Sequence, residues 1–241
     1  MFKRNQLLVM AFTFVLLAGS VGLRPLSAKG SAEDERERVQ KATTVLSEIM
    51  GVTDGGIPKD LMNRAEAVAV IPHMVKGAFI VGGDYGKGVV SRRMNNGSWS
   101  APAFLKMGGG SFGFQLGAEA TDLVLIFTNR DGVDGLIKGK VKLGADASVA
   151  AGPVGRNAQV GTDVLLNSAV LAYSRAKGLF AGIALDGAVV SIDNDANRKV
   201  YGHELTADDI LNSGRAKTND IVMPFVHELE KDAPQAKRTT D

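Results

Sequence analysis

The sequence predicts an α+β fold: an antiparallel, partly closed sheet or barrel of many short strands, with helices at the N- and C-terminal ends. Three observations predict it. From Pro72 to Gly113, glycines fall every few residues between short runs of β-branched and aromatic side chains, the pattern of closely packed strands. Asn95-Asn96-Gly97 supplies a hairpin turn, because Asn-Gly accepts the positive φ that tight hairpins need. Apolar side chains recur at helical spacing only towards the two ends, over 33–50 and 219–231.

In chain order, Val39, Ala42, Leu46, Ile49 and Met50 make 33–50 an amphipathic helix. Glu33, Asp34 and Glu35 suit the positive end of its dipole. Residues 29–38 are polar and expected to be loose at their start. Ile57-Pro58 begins a second short helix, with proline suited to a first turn. Strands follow at 67–71, 78–82 and 88–93. Trp99, Phe104, Phe112 and Phe114 punctuate the next ones, and 123–127 (LVLIF) reads as a fully buried strand. Asp131 to Leu136 is a short helix or turn. If 138–142 is extended, Lys138, Lys140 and Lys142 share one face, because strand side chains alternate. Segments 145–150, 169–174, 178–185 and 188–192 close the β region. Helices follow at 207–211 and 219–231, and 232–241 is expected to fray. No repeat or long linker divides 29–241, which reads as a single domain with enough residues for one core.

Lys3 and Arg4 precede the apolar run Leu7 to Ala18, and a small-residue stretch ends in Leu26-Ser27-Ala28. This is the form of a secretory signal peptide over 1–28, so the protein is expected to be exported and to be periplasmic or secreted, peripheral to a membrane. The leader holds Lys3, Arg4 and Arg24 and no acid, so 28 bases against 26 acids become 25 against 26 without it. Near-neutral charge argues against nucleic acid as a partner. Any anion binding has to come from a local patch. There is no cysteine, so the core stands without disulfides.

Three motifs suggest chemistry. Gly108 to Gly113 fits G-x-G-x-x-G, but the following FGFQLG continues as a strand where dinucleotide binding needs a helix. The same residues fit G-x-S-x-G around Ser111, a serine-esterase alternative that lacks a telling histidine. Asp193, Asp195, Asn197 and Glu204 have the spacing of a calcium loop. Arg198 stands where that loop wants glycine, so Asp193 or Asn194 capping a short helix is favoured. The three histidines have no paired ligand spacing. No metal and no cofactor is expected.

Six ordered blocks carry a resemblance: KGAFIVGGDYGKGVV (76–90), WSAPAFLKMGGGSFGFQLG (99–117), DLVLIF (122–127), KLGADASVAAGPVGR (142–156), AYSRAKGLFAGIALDG (172–187) and DANRKVYG (195–202). They resemble the SYLF domain, the lipid-binding domain of certain eukaryotic endocytic adaptors with exported bacterial relatives. The resemblance implies binding of phosphoinositides or phosphatidic acid through basic residues, actin binding in fungal members, and no catalysis. The adaptors' N-terminal helix bears lysines, whereas 33–50 here is acid-rich with Lys41 its only lysine. The expectation is therefore a non-enzymatic domain that binds an anionic phospholipid membrane surface through Lys76, Lys87, Arg92, Arg93, Lys138, Lys140 and Lys142, each base contributing about 1 kcal/mol near such a surface. Actin is expected to be an unlikely partner for an exported protein. The alternative is a structural envelope protein contacting other proteins.

Overall fold

The computed structural model describes residues 29–52, 56–74, 86–109, 121–154, 168–176, 178–183, 185–202 and 205–234. Helix α1 (Lys29–Gly51) comes first and then the short α2 (Lys59–Arg64). The strands are β1 (Ala67–Met74), β2 (Gly86–Arg92), β3 (Ala103–Gly108), β4 (Thr121–Phe127), β5 (Lys140–Lys142), β6 (Val149–Ala151), β7 (Val170–Ala176), β8 (Leu179–Gly182) and β9 (Val189–Ile192). Helix α3 (Arg130–Ile137) lies between β4 and β5, and α4 (Asn194–Tyr201), α5 (Ala207–Leu211) and α6 (Met223–Asp232) follow β9.

Among the described residues, nine strands form one sheet in the order β5-β9-β3-β2-β1-β4-β7-β6, with β8 also on β7. It curls as an open half-barrel. The expectation of antiparallel pairing fails at one place: β6 runs parallel to β7. Its partner β7 is shared, since β8 takes the remaining half of that edge. Central β4 is buried along its whole length, as its unbroken apolar run predicts.

Each sheet face carries a layer of helices. Ala67, Ala69, Ile71, Val90, Leu105, Leu123, Leu125, Phe127 and Val190 turn towards Val133 and Leu136 of α3 and Ile210 and Leu211 of α5. Val68, Val70, Val89, Phe104, Val124, Ile126 and Tyr173 turn the other way, towards Val39, Leu46 and Ile49 of α1, Val200 of α4 and Phe225 and Leu229 of α6. Alternation along each strand therefore assigns every side chain to one layer.

Local differences from the expectations have simple causes. Residues 29–38, expected to be loose at their start, are helical, so the acids Glu33 to Glu35 lie past the first turn and cannot serve its dipole. Instead Glu33 and Glu35 pair with arginines one turn on, at 3.7 Å to Arg36 and 2.8 Å to Arg38. Lys138 is the C-cap of α3 with helical φ −70° and ψ 0°, not a strand residue, so only Lys140 and Lys142 share the outer face of β5. Gly97 has the positive φ of 85° that the Asn-Gly hairpin demands. The strand expected at 78–82 and the aromatics Phe112 and Phe114 lie outside the described residues.

Candidate functional site

The seven basic residues singled out in the sequence separate into different environments. Arg93 is buried at 3% exposure. Its guanidinium donates to the carbonyls of Met62 (3.2 Å), Ala65 (3.2 Å), Gly97 (3.2 Å) and Ala233 (3.4 Å). It also stacks 4.3 Å from the Trp99 ring centroid, while the Trp99 indole N–H donates to the same Ala233 carbonyl at 3.2 Å. Met62 and Ala233 lie at the C-terminal ends of α2 and α6, where carbonyls keep spare acceptor capacity and a cation meets the negative end of the dipole. The assignment of Arg93 to a membrane-facing patch is thus corrected: it holds two helix ends and the β2–β3 turn together.

Arg92 points to the opposite sheet face, where its Nη1 bonds the Asn212 side chain and lies 3.8 Å from Asp134. It is 12% exposed and serves the α3–α5 layer. Lys138 sits exposed at the end of α3. Lys76 lies outside the described residues.

Lys87, Lys140 and Lys142 are brought together with a fourth lysine. Lys87 of β2 stands directly opposite Lys106 of β3. Lys106 is paired with Ser191 of β9, which is paired in turn with Lys140 of β5. Registered partners project to the same side of a sheet, so one rung carries Lys87, Lys106, Ser191 and Lys140 across four strands, with Lys142 two residues along. This is the face that α1 and α4 cover, and Lys87, Lys140 and Lys142 are exposed at its rim.

An ion cluster joins this rung to both helices. Asp193, buried, is bonded to Arg38 of α1 at 3.1 Å and lies 3.4 Å from Lys106. Its Oδ1 also accepts from the Ala196 N–H at 3.2 Å, capping α4. Burial would raise its pKa, but the Ala196 N–H, Arg38 and Lys106 outweigh that and hold the carboxyl below its ordinary value. Glu35 pairs with Arg38 at 2.8 Å and with Lys199 of α4 at 3.9 Å. Burial dominates there and raises Glu35, against the pull of Arg38, Lys199 and Lys87. Arg38 also lies over Phe104, 5.4 Å from its centroid.

The same contacts answer the calcium-loop spacing. Asp193 is a helix cap, Asp195 pairs with Arg198 at 2.8 Å, and the Asn197 carbonyl accepts from the Phe104 N–H at 2.9 Å. These residues project from a helix and not from a loop around a central cation. Glu204 and Ser111 lie outside the described residues.

Sequence reasoning counted Lys106 only as scattered positive charge and missed Arg38, Asp193 as an ion partner, and Lys199, because their grouping depends on strand register and helix docking. It also passed over His73. This residue has a left-handed φ of 52° at a bulge in β1 and donates its N–H to Asp122 at 2.9 Å. Asp122 in turn accepts the Arg175 Nε at 3.0 Å, and Arg175 reaches Glu48 of α1. These contacts fasten the middle of the sheet to the end of α1.

Fold and cluster together define an α+β scaffold, a curled sheet between two helix layers with an ion cluster on one rim. Comparison with known proteins gives the family. Residues 108–232 match the Ysc84 family, described as Las17-binding protein actin regulator, and the chain belongs to that family. It is 39% identical over 183 residues to LAS seventeen-binding protein 3 of Saccharomyces cerevisiae, covering 75% of this chain and 39% of that protein. Protein YSC84 of the same species is 36% identical over 207 residues (82% and 44%). The human SH3 domain-containing YSC84-like protein 1 is 34% identical over 182 residues (73% and 53%). The chain therefore spans about two fifths to one half of these relatives.

Proposed function

We propose that this chain is the non-catalytic binding module of its family and attaches to anionic phospholipid surfaces. The observation that carries this proposal is the lysine rung: Lys87 and Lys106 directly opposed, Lys140 one strand further on across Ser191, and Lys142 alongside. Cations gathered on one rim of a near-neutral molecule attract a negatively charged bilayer, and each contributes about 1 kcal/mol. The leader-like segment 1–28 would place the module outside the cytoplasm, peripheral to a membrane. Co-sedimentation with vesicles tests it. Pelleting with 30 mol% acidic lipid should exceed pelleting with neutral vesicles and fall as salt rises. Loss of that difference in Lys140→Glu/Lys142→Glu is the expected result. Equal pelleting with neutral vesicles refutes the proposal.

A second function, a protein partner, is favoured by the relatives' names, which speak of Las17 binding and actin regulation. Those names give no support to the expectation that actin is an unlikely partner. Under this alternative the chain pellets with actin filaments, or captures a protein, with no dependence on lipid. The same lysine variants would show whether the rim carries that contact too. A structural envelope role would show the protein contact without actin.

A further inference from the structure

We propose that Asn96 is a latent modification site. The folded β2–β3 hairpin shuts off its hydrolytic deamidation, and opening of the Arg93–Trp99 junction releases it into an irreversible conversion. This is independent of what the lysine rim binds.

Asn96 is the only asparagine in the chain that is followed by glycine. Asparagine is a thermolabile side chain, and a glycine after it presents a backbone nitrogen that no Cβ shields. In the reaction the Gly97 nitrogen gives its proton to hydroxide and attacks Asn96 Cγ. A C–N bond closes a succinimide ring, the Cγ–Nδ2 bond breaks, and ammonia departs with a proton from water, which regenerates hydroxide. Water then opens the ring. Attack at Cγ gives aspartate with the ordinary backbone. Attack at the backbone carbonyl gives isoaspartate, whose chain runs through the former side chain and is one methylene longer. Overall a water enters and an ammonia leaves, so no further reactant is needed.

The hairpin withholds both reacting groups. The Met94 N–H donates to the Ser98 carbonyl at 2.7 Å and closes a three-residue loop, with Gly97 left-handed at φ 85°. The nucleophile is engaged: the Gly97 N–H donates to the Met94 carbonyl at 2.9 Å, and Gly97 is buried. The electrophile is engaged too. Asn96 Oδ1 accepts from the Ser98 N–H at 3.0 Å and from the Ser98 hydroxyl at 2.7 Å. This is the turn in which an asparagine side chain bonds backbone two residues on, and it aims the side-chain carbonyl past Gly97. Asn96 itself is exposed. Water is therefore at hand, and the geometry alone holds the reaction back.

The same glycine belongs to the buried junction. Its carbonyl accepts from Arg93 at 3.2 Å, and Arg93 also holds the Ala233 carbonyl and stacks on Trp99. Arg93 and Trp99 are bridged to each other across the hairpin, so they frame the loop. Freeing the Gly97 amide means loosening the turn whose carbonyl Arg93 holds. The chemistry then samples the population in which the junction is open. Isoaspartate lengthens the backbone between Met94 and Gly97 and displaces the Gly97 carbonyl from the guanidinium, so the junction cannot close again.

The test ages the purified protein at mildly alkaline pH and follows the tryptic peptide 94–106 by mass spectrometry for the amide-to-acid mass gain, beside a synthetic peptide of residues 90–102. The folded protein should convert roughly tenfold or more slowly than the peptide, and conversion at the peptide's rate overturns the proposal. Ser98→Ala should convert about twofold to tenfold faster than wild type at an unchanged melting temperature, as expected for one lost hydrogen bond. An unchanged or slower rate overturns Ser98 as the latch. Arg93→Met should also convert faster, and a folded Arg93→Met that ages like wild type overturns the coupling. If that variant fails to fold, Ser98→Ala carries the test. Asn96→Ala should show no mass gain, whereas a comparable gain there assigns the reaction to Asn95 and overturns the site. Trp99, the chain's one tryptophan, is 5% exposed. Converted protein, separated by its added charge, should emit at longer wavelength than fresh protein. Identical emission overturns the irreversible opening.

Discussion

The two ends of β2 carry cations with opposite fates. At its start, Lys87 is exposed and faces another lysine across the ladder. Just past its end, Arg93 is enclosed by four carbonyls and a tryptophan ring. They stand six positions apart, and each contributes one positive charge to the composition. The difference lies in the acceptors supplied by distant chain: α2, the hairpin turn and α6 converge on Arg93, whereas the acids near Lys87 are already shared with other bases. Where several acceptors converge on the cation it is structural; where, among the described residues, the nearby acids are already shared, the cation stays at the surface.

The comparison breaks most visibly at Arg93. Arg93→Met removes the guanidinium that joins these four carbonyls and should cost about 3 kcal/mol or more. Urea unfolding reads this as a lower midpoint with unchanged slope, and an unchanged midpoint would remove the structural assignment. Asp193→Asn comes next, at about 1–3 kcal/mol, because the α4 cap and the counter-ion for Arg38 and Lys106 are weakened together. It carries a pH signature. Asp193 is held below its unfolded value, so its contribution is present above about pH 4 and is lost as pH falls through the depressed folded value. Thermal melts of wild type should decline over that acidic range, and those of Asp193→Asn should decline less.

Lys87→Met sharpens the contrast in the other direction. Removing one of two opposed ammonium groups should leave the fold unharmed or stabilise it by roughly a few tenths of a kcal/mol, while membrane binding weakens. A clear loss of stability would mean that Lys87 is structural, like Arg93. The smallest effect is expected at the edge, where Lys140→Gln/Lys142→Gln should shift stability by no more than about 0.5 kcal/mol and the melting temperature should stay in place.

Local signals made much of the fold legible. The helical stripe from Val39 to Ile49, the 123–127 run and the Asn-Gly turn each act through neighbouring residues, and each element formed where its pattern lies. The parallel placement of β6 was illegible, since Val149–Ala151 has no pattern that distinguishes a direction of pairing. At the site, Lys87, Lys140 and Lys142 could be found because they are charged residues in strand context. Lys106 and Lys199 could not be separated from ordinary surface lysines, because their grouping follows from register over β2, β3 and β9 and from docking of α4 on α1. Arg92 and Arg93 show the reverse case: two adjacent bases look like one patch in a sequence, yet strand alternation and a bulky ring send them to different places.

The Ala233 carbonyl held by Arg93 and Trp99 has a consequence for biosynthesis. Arg93 is synthesised 140 residues before Ala233, so until then its guanidinium has the Met62, Ala65 and Gly97 carbonyls to bond but lacks the acceptor at the end of α6. The corner around Trp99 therefore closes only when α6 docks, and a chain interrupted before Ala233 leaves it open.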